Sequence, residues 1–92
     1  MKIKADYIKT ETIDGMFMVV PVGDESMKEH RVIELNETAA AIYDGIEKGL
    51  DESAIAALLA AEYGVSGEKA LRDVKTVVQK LTDAGVIESG KA

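Results

Sequence analysis

There is no cysteine in this chain, which removes disulfides, thiolate metal ligands and a cysteine nucleophile together. Tryptophan is absent as well, and the aromatics amount to three Tyr and one Phe. A core must therefore be built from Ala, Val, Leu and Ile. No apolar run approaches the roughly 20 residues that cross a bilayer. The opening stretch, with Lys2, Lys4, Asp6 and Lys9, lacks the apolar centre of a signal peptide. With no cysteine to protect, these features lead to the expectation of a soluble, cytoplasmic protein with no membrane partner.

Positive charge is also in short supply. Against 17 acidic residues stand 11 basic ones, a net charge of −6. Residues 1–50 hold 6 basic and 10 acidic side chains, and residues 51–92 hold 5 and 7, so both halves are acidic. Such a surface repels a phosphate backbone unless its basic residues cluster, and no nucleic-acid partner is expected.

The means of catalysis are missing too. His30 is the single histidine and sits in a polar stretch beside Glu29, with no neighbour to make it a general base. Ser26, Ser53, Ser66 and Ser89 fall in turns or at helix starts. No glycine-rich loop has phosphate-binding spacing. The acid pairs Asp24-Glu25 and Asp51-Glu52 lack the alternating oxygens of a calcium loop. The expectation is a protein that is not an enzyme and holds no cofactor.

What is present is enough apolar content, 47% of 92 residues, for one domain over 1–92, with residues 89–92 as a frayed tail. Tyr7–Ile13 is rich in β-branched residues and reads as a strand. Asp14-Gly15 then separates it from Met16–Val20, the favoured sequence for a two-residue hairpin turn with positive φ at both positions. The second strand is apolar on both faces and belongs at the centre of a small sheet, ending at Pro21. Val22–His30 reads as an exposed loop, with Met27 able to fold back. Arg31-Val32-Ile33-Glu34-Leu35 forms a third strand.

At Asn36 the pattern changes to a helical one, and Asn is a preferred N-cap, with Glu37 facing the positive end of the helix dipole. Three helices follow. The first spans about 37–48, with Ala39, Ile42, Tyr43 and Ile46 on one face and Gly49 as its stop. Asp51 caps the second, whose buried side is read as Ile55, Leu58, Leu59 and Tyr63, with Gly64 closing it. Ser66 caps the third, about 67–84, along which Ala70, Leu71, Val74, Val77, Val78 and Leu81 make an apolar stripe. Gly85 ends it, and Val86-Ile87-Glu88 packs back as an extended tail. The fold class is α+β: a small three-stranded antiparallel sheet followed by three helices, in the outline of a winged helix-turn-helix.

That outline allows two binding readings. In a DNA-binding version the third helix enters the major groove with Lys69, Arg72, Lys75, Gln79 and Lys80. Those residues do not form one stripe, and the net charge from Gly67 to Gly85 is only +1. In the other version the free edge of the third strand and the third helix form a groove that receives an extended peptide by β-addition. Arg72 and Lys75 beside it would favour an acidic peptide. On the residues alone, a third arrangement stays open, in which loop Val22–His30 covers the edge and the two cations are ordinary surface charges.

The succession of three short strands, Leu35-Asn36-Glu37-Thr38-Ala39, Ile55-Ala56-Ala57-Leu58-Leu59, and Leu81 through Ala84-Gly85-Val86-Ile87 resembles the PqqD family of pyrroloquinoline quinone biosynthesis and its relatives, the RiPP recognition elements. The resemblance spans about Ala5 to Glu88. It implies a non-catalytic peptide chaperone that binds the leader segment of a ribosomally made precursor as an added strand. The chaperone then presents that peptide to a modifying enzyme, often a radical S-adenosylmethionine protein. Carried onto this chain, the strand partner is Arg31, Val32, Ile33, Glu34 and Leu35, and the groove wall is Leu71, Arg72, Lys75 and Val78. Setting the groove on the Lys75 side of the stripe comes from the helical wheel, which leaves the opposite side open. The long acidic loop before the third strand departs from the family pattern and points to a different peptide class. The alternatives are a small winged-helix regulator and a subunit-docking module that uses the same edge.

The assigned cap is testable by itself: Asn36→Ala should cost about 1 kcal/mol of unfolding free energy in urea melts, and Asn36→Asp should cost little.

Overall fold

The computed structural model describes residues 1–4, 7–12, 14–22 and 32–88. The predicted loop from Gly23 to His30, including Met27, lies outside the described residues, as do Ile13, Arg31 and the tail at 89–92. The elements in chain order are β1 (Lys2–Ile3), β2 (Tyr7–Glu11), β3 (Phe17–Pro21), β4 (Ile33–Leu35), α1 (Glu37–Glu47), α2 (Glu52–Tyr63), α3 (Gly67–Asp83) and β5 (Ile87–Glu88).

Strands β2, β3 and β4 form an antiparallel sheet in that order, with β3 in the middle. Tyr7 faces Pro21 and Glu11 faces Phe17; Phe17 also faces Leu35, and Val19 faces Ile33. Because side chains alternate across a strand, Val19, Ile33 and Leu35 enter the core together. The other face leaves Ile8 47% exposed, and Val32, just ahead of β4, 51% exposed. Lys9 ties β2 to the helices: its Nζ lies 2.9 Å from Asp44 Oδ1 and 4.6 Å from the centre of the Phe17 ring.

The hairpin differs from the expected two-residue turn. Gly15 N–H donates to Thr12 O at 3.2 Å, and Thr12 N–H donates to Met16 O at 2.7 Å. Gly15 has φ +83°, while Asp14 does not have positive φ. The loop is one residue longer, of the type in which a turn is followed by a single left-handed glycine. A second unanticipated feature is β1, which pairs antiparallel with β5, Ile3 facing Ile87. The predicted tail is thus a strand, and the two ends of the described chain are pinned together.

All three helices begin at the assigned caps. Asn36 Oδ1 accepts from Ala39 N–H at 2.8 Å, Asp51 Oδ1 from Ala54 N–H at 2.8 Å, and Ser66 Oγ from Lys69 N–H at 3.1 Å. The α1 face is buried as read, at Ala39, Ile42, Tyr43 and Ile46. The α2 face is not. Ile55, Ala56 and Leu59 are buried, but Leu58 is 57% and Tyr63 37% exposed. The α2 sequence is apolar nearly all round, so its pattern cannot orient it; contact with its neighbours does. Leu58 then falls off the buried face, and Tyr63 lies in the last turn, next to the left-handed Gly64 that stops the helix.

Two core positions carry consequences. A Cβ on Gly45 of α1 would sit 2.8 Å from Ile55 Cγ1, so glycine is what lets α1 and α2 approach. Gly45→Ala should lower stability by about 1–3 kcal/mol through overpacking, outweighing the gain of roughly 1 kcal/mol in helix propensity. A double-mutant cycle should show the penalty shrinking when Ile55 is also changed to Ala. Tyr43 is fully buried, and its hydroxyl has no hydrogen-bond partner among the described residues. Burial, and then the carboxylates of Glu47 and Asp44, push its phenol up to about 12. The neutral form is the one that fits, so this contribution is whole below pH 10 and is lost as pH rises toward about 12. Denaturant melts should show that loss in the wild type and not in Tyr43→Phe, which should be at least as stable at pH 7 because it removes an orphaned hydroxyl.

Candidate functional site

β4 closes the three-stranded sheet on one side, and among the described residues no strand pairs with its outer edge. An uncovered edge presents backbone N–H and C=O groups to any extended chain that can reach them. Its position follows from the corner at Asn36. The cap starts α1 immediately after Leu35, so β4 ends at the helix entry, with Leu35 1% exposed beneath it.

Beside that edge lies an open cleft of about 940 Å³. Ile33, Ala39, Ile42 and Val77 give it an apolar floor, while Glu34, Asn36, Thr38, Asp73, Thr76 and Lys80 supply its polar rim. Met16 and Val32 complete the lining. A second opening continues from it along α3, lined by Ile33, Arg72, Lys75, Thr76, Gln79, Lys80, Asp83 and Ala84. The two share Ile33, Thr76 and Lys80, so together they make one trough running past β4 and over the outer side of α3.

The predicted site residues divide accordingly. Val32, Ile33 and Glu34 line the cleft, and Arg72 and Lys75 line its continuation. Leu35 is in the core rather than in the trough. Leu71 and Val78 pack half-buried against the core and line neither opening. Arg31 lies outside the described residues. The strip of α3 that borders the first cleft is Asp73, Thr76, Val77 and Lys80, on the opposite side of the apolar stripe from Lys75. The wheel locates the stripe but not the direction from which β4 meets the helix. Ala39 and Ile42 belong to the predicted buried face and Thr38 only to the helix start; a helix start following directly on an edge strand is the available signal that they border the same space.

Charge in the trough is uneven. Lys69 Nζ holds Asp73 Oδ2 at 3.1 Å, and Gln79 Nε2 donates to Asp83 Oδ1 at 2.7 Å. The two α3 carboxylates that line the trough, Asp73 and Asp83, thus each have a partner on their own helix. Arg72, Lys75 and Lys80 have no carboxylate partner among the described residues. Lys80 Nζ instead lies 3.5 Å from the backbone oxygen of Glu34, on β4. Among the described residues there is no group of three or more His, Asp or Glu placed to hold a metal ion, and no helix is long and apolar enough to cross a membrane.

A three-stranded sheet with one open edge, laid beside the last of three helices, defines a small α+β domain built around a trough. The family model described as coenzyme PQQ synthesis protein D (PqqD) matches residues 17–87, and the chain belongs to that family. Two solved structures share the fold. TbiB1 in complex with the TbiA(beta) leader peptide superposes with a TM-score of 0.80 at 18% identity, covering 100% of both chains. Lasso peptide synthetase B1 complexed with the leader peptide superposes with a TM-score of 0.77 at 24% identity, over 92% of this chain and 93% of that one. No curated protein matches the chain at a significant level.

Proposed function

We propose that the chain is a non-catalytic peptide-binding domain that takes the leader segment of a ribosomally made precursor as a fourth strand beside β4 and presents it to a modifying enzyme. The observation that carries this reading is the open β4 edge next to a cleft with an apolar floor. Main-chain hydrogen bonds along an edge supply affinity, and alternate side chains entering a cleft supply selectivity. Two proteins of the same fold were solved in complex with leader peptides, which supports a leader peptide as the ligand. The strand partner is Val32–Leu35, with Arg31 leading into it. The trough wall is α3 through Arg72, Lys75 and Lys80, with Leu71 and Val78 supporting it from the core side.

The free cations in the trough favour an acidic leader even though the protein as a whole is acidic. A DNA-binding use of α3 gains nothing from this geometry. Lys69 is engaged with Asp73 and Lys80 is turned to β4, so the helix presents no broad basic face to a groove.

The test is a titration of the isotope-labelled protein with a synthetic leader from a precursor encoded beside its gene. Amide shifts should concentrate in residues 32–35 and along the outer side of α3, from about Arg72 to Lys80. Shifts confined to α3 on adding duplex DNA, weakening steeply with salt, would overturn the reading. Arg72→Glu should weaken binding of an acidic leader about five- to tenfold while leaving the thermal midpoint unchanged.

A further inference from the structure

Lys80 is the one α3 side chain that hydrogen-bonds to the backbone of β4 among the described residues, across 46 positions of sequence. Its ammonium lies 3.5 Å from the Glu34 oxygen, at the long limit for a hydrogen bond, so the contact is easily given up. Lysines beside exposed strands are a common guard against unwanted pairing. This one stands where an added strand must place a backbone N–H. It pairs with no carboxylate of its own helix among the described residues, where Asp73 is bound by Lys69 and Asp83 by Gln79.

We infer that Lys80 is both a latch on the β4 edge and its selector: its ammonium covers the Glu34 carbonyl until an incoming strand displaces it and offers it an acidic side chain in exchange. This rests on the strand-addition reading above and adds which residue sets the sequence requirement, and where in the peptide it falls. When the strand's N–H takes the Glu34 oxygen, the displaced ammonium is left at the junction of the two openings, both of which Lys80 lines. It has then lost its oxygen partner on β4, and a carboxylate that arrives with the strand replaces it with a charge-assisted hydrogen bond. A neutral strand leaves the charge unmatched, whereas a carboxylate one or two residues from the crossing point satisfies it. Arg72 and Lys75 border only the outer opening and make no hydrogen bond to the β4 backbone among the described residues. They attract acidic peptides in general, and Lys80 demands one acid at one position.

The experiment is selection from a phage-displayed library of random dodecapeptides on the wild-type protein, Lys80→Met, Lys80→Arg and Lys75→Met. Met retains most of the apolar stem and removes the charge. Peptides selected on the wild type, on Lys80→Arg and on Lys75→Met should share Asp or Glu at one fixed position; those selected on Lys80→Met should not. In a synthetic peptide from the wild-type pool, replacing that acid by its amide should cost on the order of tenfold on the wild type and less than about twofold on Lys80→Met. The same fixed acid in the Lys80→Met pool, or none in the wild-type pool although its peptides shift the Val32–Leu35 amides, overturns the latch alone. Selected peptides that leave those amides unmoved, or no enrichment on the wild type, overturn strand addition and the latch with it.

Discussion

A single side-chain hydrogen bond, from Ala39 N–H to Asn36 Oδ1, stands at the point where sheet becomes helix. Without a cap the first amides of α1 would need other partners, and the chain would have no reason to leave the sheet abruptly after Leu35. Because it does, β4 stops at Leu35; it is three residues long, paired with β3 and seated in the core by Ile33 and Leu35. A strand so short is anchored firmly on its inner side and left bare on its outer side. The cleft follows from the same corner, for the helix start supplies Asn36, Thr38 and Ala39 to its rim and floor.

The core works with modest materials. Having few aromatics, it is built largely of aliphatic side chains, and at Gly45 the absence of a side chain leaves room for Ile55 of α2. Tyr43 is the exception, a large side chain wholly buried with its hydroxyl unpartnered among the described residues. Tight packing of α2 on both neighbours matters to the trough because α3 has to hold its distance from β4. The trough wall is rigid only insofar as Ala70, Val74 and Leu81 stay seated, and all three are inaccessible to solvent.

Electrostatics in the trough run against the sign of the whole molecule. Acidic residues outnumber basic ones throughout the chain, yet in the trough Asp73 and Asp83 each have a partner on α3, whereas Arg72, Lys75 and Lys80 have no carboxylate partner among the described residues. Local pairing, not net charge, decides what such a surface attracts at distances within about 8–10 Å, where screening by salt is incomplete.

Much of this was legible in the residues. The three caps, the glycine stops, the central place of β3 and the buried face of α1 each depend on contacts within a few positions, or on a strongly alternating pattern, and sequence carries such information directly. The width of the hairpin loop was not legible, since Asp14-Gly15 suits more than one turn. Nor was β1, whose two residues have no periodicity to read and gain their strand character only from Val86–Glu88 lying alongside. The orientation of α2 was hidden because Ala and Leu cover it on nearly every side.

The sequence by itself determined the three strands of the main sheet, where each helix begins and ends, and that α3 carries one apolar stripe. Only the tertiary structure decided which flank of that stripe meets β4, bringing Asp73, Val77 and Lys80 to the cleft and setting Leu71 and Val78 against the core. A helical wheel places residues around an axis and says nothing of the direction from which a neighbour approaches. That direction comes from how α1 and α2 pack, through contacts between residues far apart in the chain.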